Sequence, residues 1–346
     1  MKSFSEIINL TLIDLMKKDK SIICYGLGVD DPKSIFGTTK NLAKFFGSNR
    51  VFDTPTSENC MTGVGVGLAL NGFKPIMTHQ RMDFFLYAFD QLINNAAKWN
   101  FMFGEKVNLP FTIRLIVGRG WGQGPTHSQS FHNLFANIPN LKVICPALPD
   151  DVFGLYKSCI NDKCTTIIIE HRWCHDLKTD KKKFFKSIPL GKANILKKGN
   201  DITICTFSFS TIEIMNLYDE FRNLNINVEH IDLRSIKPLD IKTIRQSVKK
   251  TGRILIFDNL SNPICSIGDT IISQISDLYK IFKHKPKNLT LPDIPNPTSH
   301  ALSRKYYNDK NKIVKQVCKM VGKKFNKSMK YKNSFDVPDA NFMGPF

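Results

Sequence analysis

The residue best placed to move a proton is Glu58, at the centre of DTPTSENCMTGVGVG, residues 53–67. Val51-Phe52 runs extended into Pro55, which disfavours helix at the residue before it, and Thr56-Ser57 offer hydroxyls able to cap a helix beginning near Glu58. An acid in a helix's first turn is favoured by the helix dipole, and that role alone accounts for many such residues. The helix that follows is less ordinary. Gly63, Gly65 and Gly67 leave one stripe nearly bare, each at a cost of about 1 kcal/mol relative to alanine. The pattern predicts that something packs very close to it.

Other residues have chemistry to offer. GRGWGQGPTHSQSF, residues 118–131, is a glycine-spaced loop that leaves a strand and ends in a polar cluster around His127. It fits neither the dinucleotide glycine fingerprint nor the phosphate-binding P-loop, and suits an active-site loop or a plain surface loop equally. Phe84 and Phe85 open the segment FFLYAFDQLINNAAKW, where an aromatic pair is ordinary core packing unless a ring-shaped ligand lies beside it. EHRWCH, residues 170–175, gathers His171, Cys174 and His175 but lacks a second ligand pair, so it reads as a turn. Asp162, in an Asn-Asp-Lys turn, is placed to end a helix.

Positioning these groups takes an alternation of helices and short apolar strands. Apolar spacing over Ile7 to Met16 predicts a helix, followed by strand SIICYG. Then come helix 58–71, strand KPIMT, helix 84–102, strand PFTIRLIVG, helix 131–136, strand LKVIC, helix 149–161 and strand TTIIIEH. Such alternation implies a parallel sheet covered on both faces. Residues 176–200 are lysine-rich and strand-poor and read as a linker. A second alternation follows: strand DITICTFS, helix 210–224, strand NINVEHIDL, helix 239–249, strand GRILIFDN and helix 265–281. The expected division is therefore 1–175, a linker over 176–200, 201–330, and an extended tail over 331–346.

With 346 residues, 42% hydrophobic and 23% charged, the composition is that of a soluble two-domain protein. The formal charge of +19 would suit nucleic acid or an anionic membrane, but the lysines are mostly scattered and no nucleic-acid-binding motif accompanies them. Neither partner is expected. Nine cysteines without a CxxC pair argue for a reducing compartment. No run of ~18 apolar residues occurs, and the chain reads as cytoplasmic.

The run DTPTSENCMTGVGVGLALNG resembles the cofactor-activating segment of the beta chains of thiamine diphosphate-dependent 2-oxoacid dehydrogenases, the decarboxylating component of the pyruvate and branched-chain type. IDLRSIKPLD at 231–240 with VKKTGRILIFDN resembles the C-terminal domain shared by transketolases and those beta chains, so the resemblance covers nearly the whole chain. It implies an α/β fold: a transketolase-like pyrimidine-binding domain with a parallel sheet, then a smaller transketolase C-terminal-type domain. Glu58 would hydrogen-bond a nitrogen of the cofactor's aminopyrimidine, favouring the imino tautomer that removes the thiazolium proton. Phe84 would stack on that ring. His127 would lie near the reacting carbon, holding the substrate carboxylate or donating a proton. Asp162 matches a position that helps hold a structural potassium ion.

The resemblance also has gaps. The family's GDG motif for the magnesium and diphosphate is absent, so a separate alpha chain would carry both, in an α2β2 heterotetramer with the cofactor at the interface. The usual acceptor is a lipoyl arm of an acyltransferase. An acidic pair normally follows the first strand, where this chain has Leu27 and Gly28. His79, Gln80 and Arg81 stand where apolar or small residues are usual, and would suit an anionic or hydroxylated substrate. Competing expectations are the C-terminal half of a split transketolase-like ketol transferase and a non-catalytic scaffold subunit.

Overall fold

The computed structural model describes residues 1–120, 123–181 and 186–325. The extended tail expected at 331–346 lies outside the described residues. The chain forms two compact units, one of residues 1–117 and 134–190, the other of 118–133 and 191 onward.

The first unit is built on a parallel sheet. Its strands run, in spatial order, Lys142–Ile144, Thr166–His171, Thr112–Val117, Lys74–His79, Ile22–Gly26 and Val51–Asp53. The central strands are buried on both faces, hence their nearly unbroken apolar runs. Helix Phe4–Lys18 opens with a capping box in which the Ser3 hydroxyl accepts from the Glu6 amide and Glu6 accepts in return from the Ser3 amide. It buries Phe4, Ile7, Ile8, Leu12, Leu15 and Met16, whereas Leu10, part of the apolar spacing that predicts the helix, is exposed.

The segment expected as one helix over 84–102 is divided. A tight 3-10 stretch covers Met82–Ala88, a wide π turn Gln91–Ala96 and a single α turn Trp99–Met102. Side-chain bonds run along the widened turn, the Asn94 amide donating to the Asp90 carboxylate and the Asn95 amide to the Gln91 side-chain carbonyl. Asparagine is a weak helix former because its side chain can bond nearby backbone groups in non-helical conformations.

The second unit carries its own sheet, ordered Lys287–Leu289, Ile254–Phe257, Ile202–Thr206, Val228–Asp232 and Asn194–Lys197, the last antiparallel and the others parallel. Ile204, Phe221, Val228, Leu255 and Phe257 form its core with Val314 and Val317 of helix Lys310–Val321. The helix expected over 210–224 breaks between Met215 and Tyr218, and that expected over 265–281 ends as α-helix at Gln274 and tightens to a 3-10 turn. The stretch 176–200 is not strand-free. Lys178–Thr179 pairs with Lys2–Ser3, and Asn194–Lys197 is the edge strand of the second sheet.

Candidate active site

Glu58 begins the helix Glu58–Leu70, as its sequence context indicates, but the capping differs: the Ser57 side chain makes no cap hydrogen bond. The backbone does the work at this end, Met61 N–H donating to the Ser57 carbonyl at 2.9 Å, while the Thr62 hydroxyl turns back to the Glu58 carbonyl at 2.8 Å. The glycine stripe behaves unevenly. A Cβ at Gly65 would lie 2.4 Å from both Phe111 Cζ and the Tyr25 hydroxyl oxygen, which admits no side chain. Gly63 faces Gln91 at ordinary contact, and Gly67 has nothing near it. Close packing therefore accounts for Gly65 alone. Tyr25 adds a tie to the same helix by donating to the Met61 carbonyl at 2.8 Å, so the first turn of the helix is held against the sheet.

Within the first unit, Glu58 and Phe84 line one cavity of about 410 Å³ together with Leu27, Gly28, Asp31, Asp53, Thr54, Thr56, His79 and Gln80. The sheet's register explains how these come together. Gly26 pairs with Thr78 in the parallel ladder, so the chain two residues further on sets Gly28 beside Gln80. At Gly28 φ is +74°, and a Cβ would meet the Gln80 side-chain nitrogen at 2.0 Å. The space a side chain would take there is filled by the Gln80 amide. Asp53 closes the loop above by accepting from the amides of Val29 and Asp30.

Alternation along the strand Lys74–His79 sends neighbouring residues to opposite faces. Thr78 accepts from Arg114, which is buried and paired with Glu170 at 2.7 Å. Burial would raise the Glu170 pKa, but the guanidinium of Arg114 and the His175 hydrogen bond hold it at about 2. Glu170 further accepts from Tyr156 and from His175 at 2.9 Å. EHRWCH thus serves a buried ion pair, and no group of three or more His, Cys, Asp or Glu side chains suited to a metal occurs among the described residues.

His79, on the other face, is wholly buried, and neither ring nitrogen has a hydrogen-bond partner among the described residues. Its ring meets Phe85 edge-on at 5.1 Å. Burial pushes its pKa down to about 3, so the imidazole is neutral at physiological pH. Arg81 is turned to other partners: it donates to the Gln80 carbonyl at 2.8 Å and lies over the Phe36 ring.

His127 belongs to the second unit, where its amide donates to the Gly124 carbonyl at 3.3 Å and its Nδ1 is 2.8 Å from the Thr126 hydroxyl. Five residues on, His132 is buried between Ser130 and Asp258, 2.8 and 3.0 Å from its two nitrogens, and anchors the loop. Asp162 ties its own turn by accepting from the Cys164 amide at 2.9 Å, and its other oxygen pairs with the Lys142 ammonium. A lysine thus already supplies a cation at the carboxylate expected to hold potassium. Sequence reasoning did not find Asp31, Asp53 or the Gly28–Gln80 exchange. The signal available for the last was the parallel register of two strands.

Residues 1–174 match the transketolase pyrimidine-binding domain family and residues 191–313 the transketolase C-terminal domain family. The chain is 33% identical over 333 residues to the acetoin:2,6-dichlorophenolindophenol oxidoreductase subunit beta of Bacillus subtilis, covering 92% of this chain and 97% of that one. It is 36% identical over 290 residues to the pyruvate dehydrogenase E1 component subunit beta of Gracilaria tenuistipitata var. liui, covering 84% and 90%. A solved split-gene transketolase, described as an inactive beta4 tetramer, shares the fold with a TM-score of 0.77 at 20% identity, over 93% of this chain and 99% of that one.

Proposed function

The chain belongs to the family of beta subunits of multi-subunit 2-oxoacid dehydrogenase-type enzymes, with their transketolase-like thiamine diphosphate-binding fold, and from that premise we propose that it supplies the aminopyrimidine half of a thiamine diphosphate site. The observation that carries this reading is that Glu58 and Phe84, far apart in sequence, line the same cavity. A carboxyl group beside an aromatic face fits a flat heteroaromatic ring with a basic nitrogen. When bound, the cofactor supplies a carbanion nucleophile able to cleave the bond between a carbonyl carbon and its carboxylate.

The chain's own residues then have separate tasks. Glu58 holds a proton at the ring nitrogen, fixed in place by a helix that Gly65 lets sit against Phe111 and Tyr25. Phe84 gives the ring an apolar wall and keeps water from it. His127 takes the substrate carboxylate or returns a proton to the product. Magnesium and the diphosphate are assigned to an alpha chain in an α2β2 assembly. The proposed acceptor of the acyl unit is a lipoyl arm. No helix is long and apolar enough to cross a membrane among the described residues.

The test is co-expression with an alpha chain, followed by calorimetric titration of thiamine diphosphate with magnesium and by assay of 2-oxo acid decarboxylation. Glu58→Ala is expected to keep cofactor affinity within about tenfold while turnover falls by about 10²- to 10⁴-fold, the range for a lost general acid. A wild-type pair that binds no cofactor, or an alanine variant with undiminished turnover, would overturn the assignment.

A further inference from the structure

We infer that His79 and Gln80 select a substrate whose side chain carries a hydroxyl group, rather than a charge or bare hydrocarbon. The inference deepens the proposed function and rests on it. His79 is a polar side chain with no exposed surface, it lines the Glu58–Phe84 cavity, and the described residues satisfy neither of its nitrogens. A buried imidazole without partners costs free energy, and a fold built only for stability would place an apolar ring there, as it does next door at Phe85. A neutral imidazole has one donor and one acceptor, and a hydroxyl group offers the complementary pair. Gln80, its amide laid over Gly28, adds a second uncharged donor and acceptor to the same wall.

Charge decides against an anionic side chain. The cavity lining contains the acids Asp31, Asp53 and Glu58 and neither lysine nor arginine. On this chain's side of the site a phosphate or second carboxylate would meet acids and neutral groups. Arg81, the cation nearest in sequence, donates to the Gln80 carbonyl and covers Phe36, and it is not among the lining residues.

The experiment compares 4-hydroxy-2-oxobutanoate, 2-oxobutanoate and 2-oxoglutarate as substrates of the assembled enzyme, in wild type, His79→Phe and His79→Gln. Wild type is expected to prefer the hydroxylated probe in kcat/KM. In His79→Phe the ratio of hydroxylated to plain substrate should fall about 10- to 100-fold, as when a site built around a substrate hydroxyl loses its partner. The His79→Phe enzyme should still bind thiamine diphosphate, and His79→Gln should recover part of the ratio. An unchanged ratio in an active His79→Phe enzyme sinks the inference alone. So does a loss of cofactor affinity with the ratio intact, since the ring would then serve the cofactor, and so does a wild-type preference for 2-oxoglutarate. Failure of the underlying reading looks different: wild type decarboxylates none of the probes, and both readings fall.

Discussion

Each unit of the molecule buries a neutral histidine in its sheet, and the two are treated oppositely. His230, in the second unit, has its Nε2 2.7 Å from the Thr206 hydroxyl and its Nδ1 2.6 Å from the Tyr218 hydroxyl. His79, in the first, has no partner at either nitrogen among the described residues. Burial pushes both pKa values down to about 3, so the electrostatic environment does not distinguish them. Hydrogen-bond satisfaction does. A buried polar group whose valences are filled by its neighbours is part of the scaffold, whereas one left open beside a cavity makes sense in the company of a ligand.

The scaffold side of that contrast has its strongest member in Arg114 and Glu170, both without exposed surface. Glu170→Gln leaves the guanidinium without its counter-charge and is expected to cost about 3–5 kcal/mol, read as a lowered denaturant midpoint. A variant that unfolds at the wild-type midpoint would mean that the pair is dispensable, and the distinction between satisfied scaffold and open site would lose its clearest case.

Acid titration probes both histidines at once. Between pH 6.5 and about 4.5 the unfolded chain takes up a proton at each ring while the folded protein, with pKa values near 3, does not. The unfolded state binds more protons, so stability falls as the pH falls, by about 1.4 kcal/mol per pH unit for each histidine once well below 6.5. Phenylalanine at either position should remove one share of this slope in an unfolding series. If His79→Phe leaves the slope unchanged, the ring is protonated in the fold and its neutral reading fails.

The sharpest separation comes at neutral pH, where the effects are smaller. His230→Phe strands the Thr206 and Tyr218 hydroxyls and should cost about 1–3 kcal/mol. His79→Phe strands nothing and should change stability by less than about 1 kcal/mol, in either direction, despite equal burial. Thermal or denaturant unfolding of the two variants side by side reads this directly. Equal losses would show that His79 is held by its packing against Phe85 and not awaiting a ligand.

Much of this architecture was legible in the chain. Strands such as ITICT and TIRLIV declare themselves as short apolar runs, and Pro55 followed by Glu58 marks the start of a helix. Phe84 and Glu58 are singled out by the family resemblance of their segments, since a helix start and an aromatic pair alone fit a first-turn acid and core packing. What stayed hidden depends on long-range geometry. The loop 118–133 has no periodicity to announce that it packs with the second unit. Nothing local in GVGVG says that Gly65 is crowded while Gly67 is not. In KPIMTHQRM, His79 looks like any polar residue at a strand end, and its unfilled valences appear only once the neighbouring strands are in register. The asparagines of the stretch expected as one helix over 84–102 are visible in composition, but where it tightens to a 3-10 turn and where it widens is not.

Gly28 and Gln80 carry a consequence for how this sequence can change. A side chain added at Gly28 would collide with the amide of Gln80 and force a residue other than glycine to keep a φ of +74°. Shortening Gln80 alone would open a gap over a bare backbone. Each position therefore bears on what the other tolerates: a side chain at Gly28 requires the end of the Gln80 side chain to move aside as well as a φ of +74°. A substitution scan that scored the two positions separately would miss that one side chain stands in the space the other would need.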